Sequence, residues 1–235
     1  MSNKRTKTFY IWNVLLFICA MICLVCYDLY RGLWLKGLTS SWFVLLGLVN
    51  FIYARKMKLE QSRSLVLIEL GLFFGMCADV LLGVEFILGI LFFALGHVFY
   101  LISFYSLEKF QRKDVLIIAP IAAVSLFVVI GTPFIRIEDP FMKKLLMGYA
   151  VIIACMLGKA ISNVKKSTFR LLILLGSAMF WFSDLMLAIN MFGDGGRITW
   201  ILCSYTYWPA QNILALSLFH FVNENIQKDR AISIV

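Results

Sequence analysis

The stretch "GLFFGMCADVLLG", residues 71–83, places one carboxylate, Asp79, near the end of an otherwise apolar run. An ionised aspartate at the centre of a membrane helix costs about 2.5–3.5 kcal/mol on insertion scales, so aspartates at such positions usually have a function. The surrounding run has the length and composition of a membrane-spanning helix. These two features predict a helical membrane protein with a polar site inside it.

The composition extends this interpretation to the whole chain. Of its 235 residues, 62% are apolar and 15% are charged, whereas soluble domains are about half apolar and a quarter charged. The net charge is +9, but the basic residues lie in short loops between apolar runs, as the positive-inside rule describes. The sequence therefore predicts an integral membrane protein that binds membrane lipid and no nucleic acid.

Eight apolar runs approach the length of about 20 residues that a spanning helix needs. We therefore predict an all-α, multi-pass protein with a single transmembrane domain over residues 1–235. Sixteen of the 22 lysines and arginines fall on the side of the N-terminus, so both termini are expected in the cytoplasm, with a bacterial plasma membrane as the location. The predicted spans are 9–27, 38–54, 64–83, 86–105, 115–134, 145–161, 169–192 and 199–222.

Residues 176–188, "GSAMFWFSDLMLA", echo the opening stretch at an offset of 105 residues. In each stretch a glycine, Gly71 or Gly176, precedes the aspartate, Asp79 or Asp184, by eight residues. The third and seventh spans run in the same direction, so both carboxylates are predicted in the outer half of the bilayer. The echo favours two parallel four-helix repeats, residues 1–114 and 115–235. The alternative is that each aspartate only bonds a neighbouring helix.

Five further polar side chains are candidates for binding substrate or orienting the carboxylates. His97 and Tyr100 share one face of the fourth span, and Tyr207 and Gln211 share one face of the eighth. Asn190, six residues after the second aspartate, lies nearer to the predicted outer surface.

Several kinds of site have no support in the sequence. The Gly-x-Ser-x-Gly pattern of α/β-hydrolases and the glycine-rich phosphate loops are absent, and two histidines do not suffice for a three-histidine zinc site. We therefore predict no metal and no organic cofactor. Lys159 lies near the end of the sixth span, and its ammonium is expected to extend to the membrane interface.

Four motifs together resemble the YhhN-like lysoplasmalogenase family of eight-helix membrane proteins. They are "LGLFFGMCADVLL", "FILGILFFALGHVFYLISFY", "FWFSDLMLAIN" and "YTYWPAQNILALSLF". The resemblance implies that Asp79 and Asp184 form the acidic pair of the family, and that Gly96, His97 and Tyr100 form its Gly-His-x-x-Tyr motif. The sequence departs from the family at "TSSWF", residues 39–43, where Lys-Pro is often found.

The resemblance implies a hydrolase that cleaves the vinyl ether bond of lysoplasmalogens. The products would be a fatty aldehyde and glycerophosphocholine or glycerophosphoethanolamine. Two carboxylates suit this reaction as general acid and general base, because close like charges keep one of them protonated. The sequence does not decide which aspartate is the acid. A proton-coupled transporter, a lipid-binding membrane protein and a scaffold whose aspartates only join helices stay as alternatives.

Overall fold

The computed structural model describes residues 2–57, 63–133 and 135–232, with side chains described from Thr6 to Lys228 within these ranges. All regular elements there are helices. Lys58, one of the predicted cytoplasmic cations, and position 134, the predicted end of the fifth span, lie outside the described residues. The helices are α1 (Ser2–Tyr30), α2 (Leu33–Lys56), α3 (Arg63–Leu81), α4 (Phe86–Leu107), α5 (Arg112–Leu126, continued by a π-helix over Phe127–Gly131), α6 (Pro140–Ser162), α7 (Thr168–Phe192) and α8 (Gly196–Ile232).

Seven of these helices, α1 to α7, are long and apolar enough to cross a membrane. The all-α fold and seven of the predicted spans are thereby confirmed, and the protein is an integral membrane protein. The eighth predicted span, 199–222, falls within α8, which is less apolar because it carries residues such as Tyr207, Gln211 and Asn212. Their side chains are buried inside the protein. A crossing by α8 stays a prediction.

Polar first turns explain why some helices begin earlier than predicted. Helix α6 begins at Pro140, where the Asp139 carboxylate accepts hydrogen bonds from the backbone N–H groups of Phe141 and Met142. An aspartate cap followed by proline is a favoured helix start. Hydropathy alone begins the sixth span at residue 145, because the capped turn is not apolar.

The helices pack in an order that has an internal correspondence. The most extensive contacts join α3 to α4 and α7 to α8, and α2 lies against α1, α3 and α8 while α6 lies against α5, α7 and α4. Exchanging the two halves of the chain, so that α1–α4 take the places of α5–α8 and the reverse, turns the neighbours of α2 into those of α6. The contact of α1 with α8 has no counterpart of similar extent between α5 and α4, and the repeat stays a prediction.

The connections that follow α1, α3, α5 and α7 lie at the same end of the bundle, which we call the outer end after its predicted side. Their described residues are 31–32, 82–85, 132–133 with 135–139, and 193–195. Asp79 lies in the last turns of α3, close to this end. Deeper in α3, Gly71 and Gly75 allow two side chains to approach the backbone. A Cβ atom at Gly71 would lie 2.4 Å from a Tyr100 ring carbon, and one at Gly75 would lie 2.6 Å from the Gln211 amide nitrogen.

At the opposite end, which we call the inner end, one ion pair is fully buried. The Lys159 ammonium lies 2.9 Å from the Asp114 carboxylate and also donates to the Lys109 carbonyl oxygen. Both charged side chains are 0% exposed. The prediction that Lys159 extends to the membrane interface is therefore wrong, because α5 provides a carboxylate within the protein.

Candidate active site

The Asp79 carboxylate is surrounded by donors from α2 and α8. Tyr207 donates its hydroxyl to Oδ2 at 2.7 Å, Ser40 donates to the same oxygen, and the Lys36 ammonium lies 3.6 Å from Oδ1. Trp208 in turn donates its indole N–H to the Ser40 hydroxyl at 3.1 Å. Asp79 is only 2% exposed, so these groups compensate for much of the hydration that its charge loses on burial.

The Asp184 carboxylate has different partners, from α4 and α6. Tyr149 donates its hydroxyl to Asp184 Oδ2, and His97 Nε2 lies 3.3 Å from that oxygen and 2.8 Å from the Tyr149 oxygen. The other ring nitrogen of His97, Nδ1, lies 3.3 Å from the sulfur of Met156. Asp184, Tyr149 and His97 therefore form one hydrogen-bonded unit, which we call the acidic triad.

Tyr100 and Gln211 connect α4 and α8 on the inner-end side of Asp79. The Tyr100 hydroxyl donates to the Gln211 carbonyl oxygen at 2.6 Å, and the Gln211 amide nitrogen lies 3.4 Å from the Tyr207 oxygen. These two predicted site residues reach the carboxylate only through Tyr207. In the structure they support Tyr207 and do not touch Asp79 directly.

Asn190 lies apart from both carboxylate clusters. Its amide nitrogen donates to the Gly196 carbonyl oxygen at 2.8 Å and to the Thr199 hydroxyl at 2.9 Å. Asn190 thus joins the end of α7 to the start of α8 at the outer end, and the other four candidates lie in the clusters around the carboxylates.

One cavity has both carboxylates on its wall. Three apolar residues, Leu82, Phe93 and Leu187, also line it. Asp79 and Asp184 therefore face one common space, which a ligand in this cavity would share with both carboxylates.

A second, apolar cleft continues from this cavity between α4, α5, α6 and α7. Asp184 and the three apolar residues just named line both spaces. The wall of the cleft includes Val129 of the π-helix. Short π-helical segments within α-helices are frequent at functional sites. The combined space offers an apolar region that ends at a carboxylate.

Corresponding helices hold the two carboxylates. Asp79 on α3 receives contacts from α2 and α8, whereas Asp184 on α7 receives them from α6 and α4. The exchange of halves that relates the neighbours of α2 to those of α6 relates these contacts too. The side chains differ, however, since Lys36 and Ser40 contact one carboxylate and Tyr149 and His97 contact the other.

Sequence reasoning missed five residues of these clusters. Lys36 was assigned only to an outer loop, because the second span was predicted to begin at residue 38 and not at Leu33. A longer second helix would have placed this cation opposite the outer end of the third. The other four missed residues have side chains that are common in membrane helices, so a single sequence does not mark them as part of a site. The missed residues are Lys36, Ser40, Tyr149, Met156 and Trp208.

Over the described residues, no three His, Cys, Asp or Glu side chains are grouped so that they could hold a metal ion.

Comparison with known proteins gives one informative result. Neither a curated protein nor a solved structure matches the chain significantly. The model of the YhhN family matches residues 18–218, a range that includes Asp79, Asp184 and the five other predicted site residues. The match covers most of the chain, which therefore belongs to the YhhN family.

Proposed function

We propose that this protein is a membrane-embedded hydrolase that cleaves the vinyl ether bond of lysoplasmalogens. The products are a fatty aldehyde and glycerophosphocholine or glycerophosphoethanolamine. The observation that carries the proposal is the single cavity that exposes two carboxylates with different partners and continues into an apolar cleft. Membership of the YhhN family is consistent with this activity.

The shape of the two spaces suits a single-chain lipid. The apolar cleft suits an alkenyl chain, because its wall consists mainly of aliphatic and aromatic side chains. The vinyl ether at the end of that chain then lies beside Asp184, where the cleft meets the cavity. Such a substrate is itself a membrane component, which accounts for an active site within the bilayer.

The contacts of Asp184 with His97 and Tyr149 favour it as the general acid. Tyr149 donates its hydroxyl to Asp184 Oδ2, and His97 Nε2 lies 3.3 Å from that oxygen and 2.8 Å from the Tyr149 oxygen. An imidazole in this position can exchange a proton with Asp184 directly or through Tyr149.

In the proposal the acidic triad supplies the proton. Asp79 differs, because Ser40, Tyr207 and Lys36 all direct donors or positive charge toward its oxygens. These contacts offset part of the cost of burying a carboxylate. Asp79 is proposed as the group that stabilises positive charge on the substrate and accepts a proton from water.

The proposed reaction balances with one water molecule. Asp184 protonates the alkenyl carbon farther from the ether oxygen, which leaves an oxocarbenium ion. Water bonds to the positive carbon and gives a proton to Asp79, forming a hemiacetal. Asp79 then returns that proton to the ether oxygen as the carbon–oxygen bond breaks, and the hemiacetal hydroxyl proton passes to Asp184. The products are an aldehyde and a glycerol hydroxyl, and both aspartates regain their initial states.

The test is release of fatty aldehyde from a defined lysoplasmalogen by the purified full chain. Asp79→Asn and Asp184→Asn each remove one proposed catalytic group, and each is expected to lower kcat by about 100-fold or more. Glu138→Gln, an exposed carboxylate at the outer end, is the matched control and is expected to retain activity. Gel filtration and thermal unfolding establish that the variants are folded.

A folded wild-type protein that releases no aldehyde would contradict the proposal. Lysolipid-dependent proton movement by that protein in sealed vesicles would then support the transporter alternative. Retained activity in either folded asparagine variant would instead remove that aspartate from the mechanism.

A further inference from the structure

Three cavities at the outer end share Trp200. One is the cavity of the carboxylates, the second lies between Lys36 and Gly32, and the third is bounded by Arg31 and Arg197. Lys36 lines both the first and the second. The indole of Trp200 therefore lies between the active-site cavity and a surface that carries two arginines.

The third cavity brings two arginines and an indole together, beside Asn190 and Gly196. The Arg31 guanidinium lies 4.5 Å from the centre of the Trp200 ring. The Trp200 indole nitrogen is buried and has no hydrogen-bond partner among the residues that the structure describes. An indole N–H only donates, and leaving it unpaired in a buried position costs about 1–3 kcal/mol. An acceptor oxygen from a ligand would satisfy it.

The backbone adds positive character at the same place. Helix α8 begins at Gly196, one of the residues that bound the third cavity, so the positive end of its dipole is directed there. On the other side, Arg31 has a φ of 53° and Gly32 a φ of 124°. A left-handed conformation is uncommon for arginine, and this turn places its side chain beside Trp200.

The carboxylates nearby do not neutralise these cations fully. Arg31 lies 3.5 Å from Asp28 and remains 49% exposed in its side chain. Among the described residues, no carboxylate lies within ion-pair distance of Arg197, although Asp194 is only three residues away in the chain. An anion therefore gains a favourable electrostatic interaction at this surface.

We propose that Arg31, Arg197 and the indole N–H of Trp200 form a binding site for the phosphodiester of a lysophospholipid headgroup. The inference rests on the proposed function for its substrate, and it specifies where the headgroup lies. The alkenyl chain occupies the apolar cleft, the ether lies between the aspartates, and the phosphodiester oxygens lie at the outer end. Guanidinium groups suit this ligand because two of their N–H groups can bind two phosphate oxygens at once.

The first test measures binding without catalysis. Glycerophosphoethanolamine and inorganic phosphate are titrated separately into the full chain in a phosphate-free detergent, and heat release is measured. We expect the phosphodiester to bind, and Arg31→Gln and Arg197→Gln each to weaken its Kd by about tenfold. Trp200→Phe, which retains an aromatic ring but lacks the N–H, is expected to weaken it by about fivefold. Arg136→Gln, an exposed arginine of the outer end, is the matched control.

Three outcomes of the binding test are decisive. Tighter binding of inorganic phosphate than of the phosphodiester would show an anion site that does not select a headgroup. Absence of binding, or equal binding by all variants, would overturn the proposal. Because this readout involves no ether cleavage, its result does not depend on whether the protein is a hydrolase.

The second test uses turnover and two substrates. With a lysoplasmalogen, the arginine variants are expected to raise KM by about tenfold with little change in kcat, since the phosphodiester is distant from the reacting bond. With a 1-alkenylglycerol, which has no phosphate, the same variants are expected to equal the wild type. A similar loss with both substrates would show a general structural effect and contradict a phosphodiester site.

Discussion

At the scale of the residue, the Tyr149 hydroxyl is the clearest difference between the two carboxylate clusters. It donates to Asp184 and lies 2.8 Å from His97 Nε2, so it connects the two groups that share the proton in our mechanism. Asp79 is contacted by a tyrosine as well, but there the other partners are Lys36 and Ser40. Tyr149 is thus a positioning residue for the proposed acid.

Tyr149→Phe is expected to lower kcat for aldehyde release by roughly 10- to 100-fold while KM changes little, because Asp184 loses the hydrogen bond from the Tyr149 hydroxyl but the cavity keeps its shape. The measurement is a kcat and KM determination across pH, where the acidic limb of the profile should move. Tyr205→Phe, at a tyrosine that is 39% exposed on α8, is the control. An unchanged pH profile with full kcat would exclude Tyr149 from proton transfer.

Gly71 illustrates a second residue-scale constraint, the close approach of a ring to a helix backbone. Gly71→Ala is expected to destabilise the protein by about 1–3 kcal/mol, since the new Cβ would lie 2.4–2.7 Å from ring carbons of the buried Tyr100. Gly148→Ala is the matched control, because its Cβ would have no neighbour within 4 Å and alanine favours a helix. Thermal unfolding in detergent compares them. Equal stability of the two variants would contradict this constraint.

The sequence was more informative about the carboxylates than about their partners. Asp79 and Asp184 can be found because a charge in an apolar run is costly, and Tyr207 because it shares a helical face with another polar residue. Ser40, Tyr149 and Met156 are ordinary residues of membrane helices. Their role depends on how α2, α6 and α7 pack, and one sequence does not specify that packing.

At the scale of the element, hydropathy located α1 to α7 well and their ends less well. Helix α6 illustrates the reason. Its first turn depends on an aspartate cap and a proline, and a search for apolar runs does not detect either of them. The hydropathy pattern also does not predict the polar contacts between helices at the inner end. Glu108, just after α4, accepts hydrogen bonds from Lys165 at 2.8 Å and Arg170 at 2.9 Å.

This inner-end contact predicts a pH dependence of stability. Hydrogen bonds from Lys165 and Arg170 lower the pKa of Glu108 from 4.5 to about 2. A lowered pKa means that the carboxylate stabilises the folded protein above pH 4.5, and that this contribution is lost as the pH falls through about 2. Because the ion pairs are partly exposed, the contribution is about 1 kcal/mol or less.

Glu108→Gln is therefore expected to lower the Tm at pH 6, and the difference from the wild type should shrink as the pH falls from 4.5 toward 2. Thermal unfolding in detergent at several pH values measures this. Glu138→Gln, at an exposed carboxylate, should show no such convergence. A difference in Tm that stays constant over the whole range would contradict the ion-pair interpretation.

At the scale of the whole molecule, the correspondence between the two halves concerns position more than chemistry. Contacts from α2 and α8 to one carboxylate, and from α6 and α4 to the other, are what a parallel repeat would produce. The halves differ in the side chains that they direct to these positions. That difference is what a reaction with one acid and one base needs, whereas two identical sites would hold two carboxylates in the same state.

The correspondence requires α8 to cross the membrane as α4 does. Helix α8 has 37 residues, so it is about 55 Å long and exceeds the hydrocarbon thickness of about 30 Å. Its low apolarity does not prevent a crossing, because polar side chains such as Gln211 and Asn212 are 0% exposed and face other helices. An even number of crossings places both chain ends on the same side of the membrane.

Short epitope tags at the two ends of the full chain test this number of crossings. In sealed inside-out vesicles, both tags are expected to bind antibody, and in intact cells neither is, since the lysine and arginine pattern predicts cytoplasmic termini. A tag inserted after Glu138, in the connection between α5 and α6, serves as the control and should show the opposite accessibility. Tags that become accessible on opposite sides would mean that α8 does not cross. The cavity wall formed by Trp200, Tyr207 and Trp208 would then need another placement relative to the bilayer.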